Sequence, residues 1–300
     1  FLNGKWLADF FSRPYLTDEI MKAIHNQRIC CGAVLVCLLI VACKKDNPAE
    51  PNEKMGVFVK TDATYGQVLT DSAGMALYFF ARDADGSSAC TGNCTSIWPA
   101  YYSSHAAASG AVESDDVGTI TLANGALQST YKGWPLYYYA SDGAPGDIGG
   151  DGIGGNWFVA KPDYSVMVVQ HQLVGADGIA YTEDLVPGEG QTRYLVDAYG
   201  RTLYGFVQDR YNINNFTNAD FSNNGVWPIY EAGPASVPSV LDPTDFEGIN
   251  VHGRTQLTYK GWPLYYFGQD AARGENKGVS VPAVGIWPVL NADSPEATAP

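Results

Sequence analysis

Positive charge is scarce in this 300-residue chain: Lys and Arg number 18 against 32 Asp and Glu, a formal net charge of −14. No Lys/Arg stripe exists to neutralise phosphates, which excludes nucleic acid as a partner. Histidine is scarcer still, with four residues. Three of them, His105, His171 and His252, stand at unrelated places and read as surface or loop residues, not as a metal trio. Long apolar runs are missing too. The main one, Gly32 to Ala42, would rise about 16 Å as a helix, short of a hydrocarbon core of about 30 Å. Nothing matches G-x-S-x-G, H-E-x-x-H, a P-loop or a G-x-G-x-x-G opening a helix, so no catalytic constellation is on offer and a non-enzymatic role is expected.

What the chain does have is 46% hydrophobic residues, 19 Tyr, 12 Phe, 7 Trp, 33 Gly and 17 Pro. That composition describes a globular protein of short strands joined by turns.

Met21, Lys22 and Arg28 precede the apolar run, which ends Ile40-Val41-Ala42-Cys43 before Lys44, Lys45 and Asp46. Charge followed by a short apolar stretch is a signal-peptide pattern, and its end resembles the bacterial lipobox. The resemblance implies lipid on Cys43, which becomes the new N-terminus after cleavage. Each buried CH₂ contributes about 0.8 kcal/mol, so several acyl chains anchor durably. The expected division is upstream read-through over 1–20, a signal peptide over 21–42 and a polar, Pro-containing tether over 43–56. The membrane is then a partner through the anchor. Lys44 with acids just beyond suggests the outer membrane of a Gram-negative bacterium, facing the periplasm or the surface.

Cys30, Cys31 and Cys37 leave with the signal, and Cys43 carries lipid. Cys90 and Cys94 remain, in C-T-G-N-C. An envelope compartment permits a disulfide, which would stabilise by about 2 kcal/mol for so short a loop. A redox-active pair and half of a metal site are the rival readings.

One pattern, Tyr-x-aromatic-x-x-Asp, recurs four times: Tyr78, Phe80, Asp83; Tyr137, Tyr139, Asp142; Tyr204, Phe206, Asp209; and Tyr265, Phe267, Asp270. Each Asp is followed 15 to 18 residues later by a Trp, namely Trp98, Trp157, Trp227 and Trp287. Copies one and three are led by DSAGMALY and DAYGRTLY, whereas copies two and four share TYKGWPLYY. A duplicated two-repeat unit follows: residues 57–173, a linker over 174–190, residues 191–292, and a flexible tail over 293–300.

These residues resemble a family of secreted tandem-repeat lipoproteins with a Y-x-[FWY]-x-x-D motif, whose molecular function is uncharacterised. The C-x-G-x-C-x-x-x-W-P element, Cys90 to Pro99, is also family-like, and the second unit lacks it between Asp209 and Trp227.

In a strand, Tyr and the aromatic two residues on share a face, so each copy lays two rings against a core. The preceding S-A-G, A-Y-G or Y-K-G is a tight turn, making each copy the second arm of a hairpin. The Asp falls where the strand ends and can accept N–H bonds of the next turn. The expected fold is all-β, four repeats of short antiparallel strands in two homologous domains, closed propeller-like or as two small sandwiches. The expected function is a binding or interaction module for an envelope protein or a glycan. Alternatives are a redox accessory using Cys90 and Cys94, or a calcium-stabilised surface protein using Asp147, Asp151 and Asn156 of a Gly-rich loop. No other cofactor is expected. Tyr101, Tyr102, Tyr138 and Tyr266 are candidates for a sugar-stacking surface.

Overall fold

Glycine turns set the architecture. In both TYKGW segments the Lys-Gly pair is left-handed at each residue, with φ of 48° and 77° at Lys132 and Gly133 and of 47° and 78° at Lys260 and Gly261. Two consecutive positive φ values make the hairpin turn whose twist matches that of the flanking strands. The computed structural model describes residues 56–104 and 112–300, all within one compact unit, Glu50–Pro300. The signal peptide, Cys43, the tether up to residue 55 and His105 lie outside the described residues.

The strands run in chain order as β1 Phe58–Asp62, β2 Gly66–Thr70, β3 Tyr78–Phe80, β4 Val117–Thr121, β5 Leu127–Tyr131, β6 Trp134–Pro135 and β7 Trp157–Val159. They continue as β8 Val166–His171, β9 Leu173–Val174, β10 Ala180–Tyr181, β11 Thr192–Asp197, β12 Phe246–Val251, β13 Arg254–Tyr259 and β14 Trp262–Pro263. One helical turn, α1 Cys94–Ile97, precedes Trp98. The protein is all-β, built of small antiparallel sheets of two or three strands, with no closed barrel among the described residues.

The duplication is visible in the register. β1 pairs with β2 so that Phe58 faces Thr70, and β8 pairs with β11 so that Met167 faces Val196. The meanders β4-β5-β6 and β12-β13-β14 correspond likewise, with Tyr131 facing Trp134 and Tyr259 facing Trp262. The chain connecting β8 to β11 forms the short β9–β10 hairpin and then turns back so that Tyr181 bridges Pro187.

Strand alternation in the first copy sends the motif residues to one core and their neighbours to another. Tyr78 and Phe80 face one cluster with Trp98, Tyr137 and Trp157, while Leu77 and Phe79 point into a larger core shared by both halves. That shared core also holds Tyr204, Phe206, Trp227, Tyr265 and Trp287.

The halves meet through backbone and side chain. The strand β8, which the sequence division leaves in the first unit, pairs with β11 and so belongs to the second half; from it Gln170 N–H donates to the Ala81 carbonyl (2.8 Å), and Trp134 Nε1 donates to the Ala198 carbonyl (2.9 Å). Arg273 donates from Nε to Ala84 O (3.0 Å) and from Nη1 to Lys132 O (3.2 Å), with its guanidinium 4.4 Å above the Trp134 ring. In the second half the equivalent Trp262 Nε1 donates to Pro295 O (2.9 Å), and Ala297 N–H donates to Lys260 O (2.9 Å). The stretch read from the sequence as a tail therefore lies along the second KGW turn, where the first KGW turn has the second half.

Candidate functional site

The repeated Tyr and Asp bond across copies, not within one. Tyr78 Oη donates to Asp142 Oδ2 (2.6 Å) and Tyr137 Oη to Asp83 Oδ2 (2.6 Å). In the second half Tyr204 Oη donates to Asp270 Oδ2 (2.6 Å) and Tyr265 Oη to Asp209 Oδ2 (2.8 Å). The backbones reciprocate: Tyr78 and Tyr137 exchange N–H···O bonds of 2.9 and 3.1 Å, and Tyr204 and Tyr265 exchange two of 2.9 Å. Each motif strand is flanked on both sides by its partner copy. Tyr78 lies between Tyr137 and Val159 of copy two, and Tyr137 lies between Tyr78 and Ala100 of copy one. Tyr204 and Tyr265 repeat the arrangement with Val289 and Ile229.

The other oxygen of each Asp holds the turn that follows. Asp83 Oδ1 accepts from Ala89 N–H, Asp142 from Gly149, Asp209 from Asn215 and Asp270 from Lys277, at 2.7 to 2.9 Å. This turn-locking is the role the sequence suggests; the phenol from the other copy is the part it conceals. Burial raises Asp83 to about 7, opposed by the Tyr137 and Ala89 hydrogen bonds. It raises Asp209 and Asp270 to about 6, against their own Tyr and backbone donors. The partner tyrosines shift upward for the same first reason, desolvation, reinforced by the carboxylates.

The rings stack across copies as well. Trp98 and Trp157 lie parallel at 3.8 Å, flanked by Tyr139 against Trp98 (4.5 Å) and Phe80 against Trp157 (4.0 Å). Trp227 and Trp287 are parallel at 3.8 Å, flanked by Phe267 (4.6 Å) and Phe206 (4.3 Å). A glycine makes room in each half. A Cβ at Gly150 would come within 2.9 Å of Tyr78 and Trp98, and one at Gly278 within 2.8 Å of Tyr204 and Trp227.

A second repeated pair, unseen in the sequence, joins Tyr138 to Asp71 (2.9 Å) and Tyr266 to Asp197 (2.8 Å), where each Asp also caps its own turn. The recurring Asp seven residues before the motif Tyr, Asp71 before Tyr78 and Asp197 before Tyr204, is the signal the sequence offers. Tyr138 and Tyr266 are thus part-buried and bonded, Tyr101 is buried, and Tyr102 alone of the four sugar-stacking candidates is exposed.

The calcium candidates have other partners. Asp147 Oδ2 accepts from Gly143 and Ala144 N–H, Asp151 Oδ1 accepts from Val159 N–H, and Asn156 Oδ1 faces Arg193. No group of three His, Cys, Asp or Glu side chains placed to hold a metal occurs among the described residues. His171 contacts the Gln172 carbonyl and His252 the Thr217 carbonyl.

The halves differ between the motif Asp and its Trp. Cys90 and Cys94 form a disulfide. Beside it, loop 85–95 and the β4–β5 turn border a cleft of about 830 Å³ lined by Asp85, Ser88, Cys90, Thr95, Leu122 and Asn124 among others. Ser88 Oγ lies 2.8 Å from Tyr137 Oη, so the cleft wall touches the buried Tyr137–Asp83 pair. In the second half the corresponding loop closes on the corresponding hairpin turn. His252 Nε2 contacts Thr217 O (3.1 Å), and Phe221 packs edge-on against the His252 ring (6.0 Å).

Residues 60–101, 118–161 and 250–291 match the family model described as a secreted repeat of unknown function. These are copies one, two and four. The stretch around Tyr204, which the structure builds like the others, is the one outside the match. No curated protein and no solved structure matches the chain.

Proposed function

We propose, from the premise that this chain carries copies of a secreted repeat of unknown function, that it is a lipid-anchored envelope protein with a non-enzymatic scaffold presenting one binding cleft. The observation that carries the reading is the difference between the halves. Everything the four motif copies share is spent on internal bonds: phenol to carboxylate, carboxylate to turn, ring on ring. What one half has and the other has closed is the opening between loop 85–95 and the β4–β5 turn. Loops on a rigid scaffold are where binding residues concentrate, and about 830 Å³ lies within the range of small-ligand sites.

The lining chemistry selects a ligand class. Ser87, Ser88, Thr91, Thr95, Asn124 and Asp85 line the cleft together with Leu122, with no Lys or Arg among the lining residues. Such a surface suits a neutral polyhydroxyl compound, a saccharide, and disfavours an anion. Calorimetric titration with a panel of neutral oligosaccharides should show binding that Leu122→Trp, which fills the cleft, weakens at least tenfold without lowering Tm. Absence of binding across the panel, or equal binding by the variant, overturns the assignment. For the anchor, Cys43→Ala should move the chain from the membrane pellet to the soluble fraction; a variant still pelleting with membranes removes that part of the reading.

A further inference from the structure

The second half is an internal control for the disulfide of the first. Cys90 stands seven residues after the motif Asp83, and Phe216 stands seven after Asp209. Cys94 stands four residues before Trp98, and Asn223 four before Trp227. The correspondence is structural as well. Asp83 Oδ1 accepts from Ala89 N–H and Asp209 Oδ1 from Asn215 N–H, each just ahead of the position in question. Trp98 N–H donates to Cys94 O (2.8 Å), and Trp227 N–H donates to Asn223 O (3.3 Å), closing the same turn. Where the first half joins these two positions by sulfur, the second joins them by one hydrogen bond, from Asn223 Nδ2 to Phe216 O (2.7 Å). The Phe216 ring then packs on Phe206, Trp287 and Tyr265.

The repeat therefore builds its Asp-to-Trp connection without a disulfide. The stacked Trp pair and the Tyr–Asp bonds form equally well in the half that has none. The bridge in the first half lies at the cleft, with Cys90 in the cleft wall and Cys94 part-exposed on α1. A covalent tie the fold can do without, placed at a ligand-sized opening, has the accessibility that thiol exchange requires.

We propose that Cys90–Cys94 is a thiol-exchange site, reversibly opened by small thiols or dithiols while the repeat stays folded. A donor thiolate attacks Sγ of Cys94, the more exposed of the two cysteines. The Cys90–Cys94 bond breaks, a donor–Cys94 disulfide forms, and Cys90 leaves as a thiolate at the cleft wall. A second donor thiolate attacks the donor sulfur, releasing the donor as its disulfide and Cys94 as a thiolate. Two donor thiols lose two electrons, and their two protons end on Cys90 and Cys94. Asp85 in the cleft wall and the net charge of −14 repel anionic donors, so cationic and neutral thiols react faster. This site stands whatever the cleft binds, because exchange needs access to the sulfurs and not ligand affinity.

The test uses the full chain without denaturant, treated with millimolar dithiothreitol at pH 8 and then alkylated. The Cys43→Ala variant serves for solubility. The expected result is alkylation of both Cys90 and Cys94 by mass, retained Trp emission and near-UV circular dichroism, and recovery of the bridge on removing the reductant. Cysteamine should open the bridge faster than mercaptoethanol, and mercaptoethanol faster than mercaptoethanesulfonate. The double variant Cys90→Ser/Cys94→Ser should keep a cooperative thermal transition. A bridge that resists dithiothreitol until denaturant is added, or whose reduction abolishes the near-UV signal, makes it a structural staple and overturns the proposal.

Discussion

Asp83 carries two jobs on two oxygens, and no other side chain of its size could do both. One oxygen receives the Tyr137 phenol and the other the Ala89 N–H, and the residue is fully buried. Truncation to Ala would leave both donors unpaired in a dry site, at a cost of about 2–4 kcal/mol. Burial also links stability to pH. The folded pKa of Asp83, about 7, and those of Asp209 and Asp270, about 6, lie above the ordinary value of 3.8. Between those limits the folded state binds more protons than the unfolded one, so the contribution is fully present below about pH 4 and is lost as pH rises through 6 to 7. Around these carboxylates, Asp85 and Glu275 push in the same direction, while Arg273, Arg210 and Lys277 oppose it. Half-buried Asp62 and exposed Asp177, Asp220 and Asp242 are shifted downward by local hydrogen bonds and act oppositely, but only in strong acid. Urea denaturation should therefore give a higher midpoint at pH 5 than at pH 8, with a smaller difference in Asp83→Asn. Greater stability at pH 8 would contradict the burial argument.

At the scale of elements, the turn after each even-numbered copy has to pass a glycine over a Tyr–Trp edge. Gly278 N–H donates to Tyr204 Oη (3.2 Å), as Gly150 N–H does to Tyr78 Oη (3.3 Å). The approach that brings donor to phenol leaves no room for a methyl group, and the neighbours are rings locked in a stack. Gly278→Ala should cost about 1–3 kcal/mol by overpacking. Gly225→Ala, with open space around its Cβ position, is the control and should change stability by under about 1 kcal/mol. Equal thermal shifts for the two variants would show that the stack can yield. The difference between odd and even copies lies in the same connection: the motif Asp accepts from the residue six positions on in copies one and three, and seven positions on in copies two and four.

On the scale of the whole molecule, exchange between copies makes the pair the unit of folding. A single copy would leave its Tyr phenol without the carboxylate it now meets and its Trp without the ring it stacks on. The two pairs are then coupled by Arg273, whose guanidinium spans Ala84 O, Lys132 O and the face of Trp134. Burial lowers its pKa to about 10, offset by Asp83, Asp85 and Asp197. Arg273→Ala should leave two carbonyls without these donors and the Trp134 face uncovered, destabilising by about 1–3 kcal/mol. Calorimetry should show the single unfolding transition of the parent splitting into two as the halves uncouple. A single unshifted transition in the variant would show that the interface does not depend on this residue.

Much of this could be read from the chain itself. Recurrence of Tyr, aromatic, Asp and Trp at fixed spacings requires four equivalent strand-and-turn units, because alternation places the two rings on one face and puts the Asp at the strand end. The short loop between Cys90 and Cys94 already allowed the bridge that forms. Partner choice was not legible. Tyr78 meets Asp142, 64 residues away, instead of Asp83 five residues away, and spacing alone favours neither. That choice belongs to the antiparallel pairing of Tyr78 with Tyr137, which turns each phenol toward the other copy's carboxylate. The cleft was equally hidden, since it is the gap left where one loop fails to close on a hairpin turn that its duplicate does close on. Local spacing determined the repeat; the pairing of one copy with another decided which tyrosine meets which carboxylate, because only the folded backbone sets that direction.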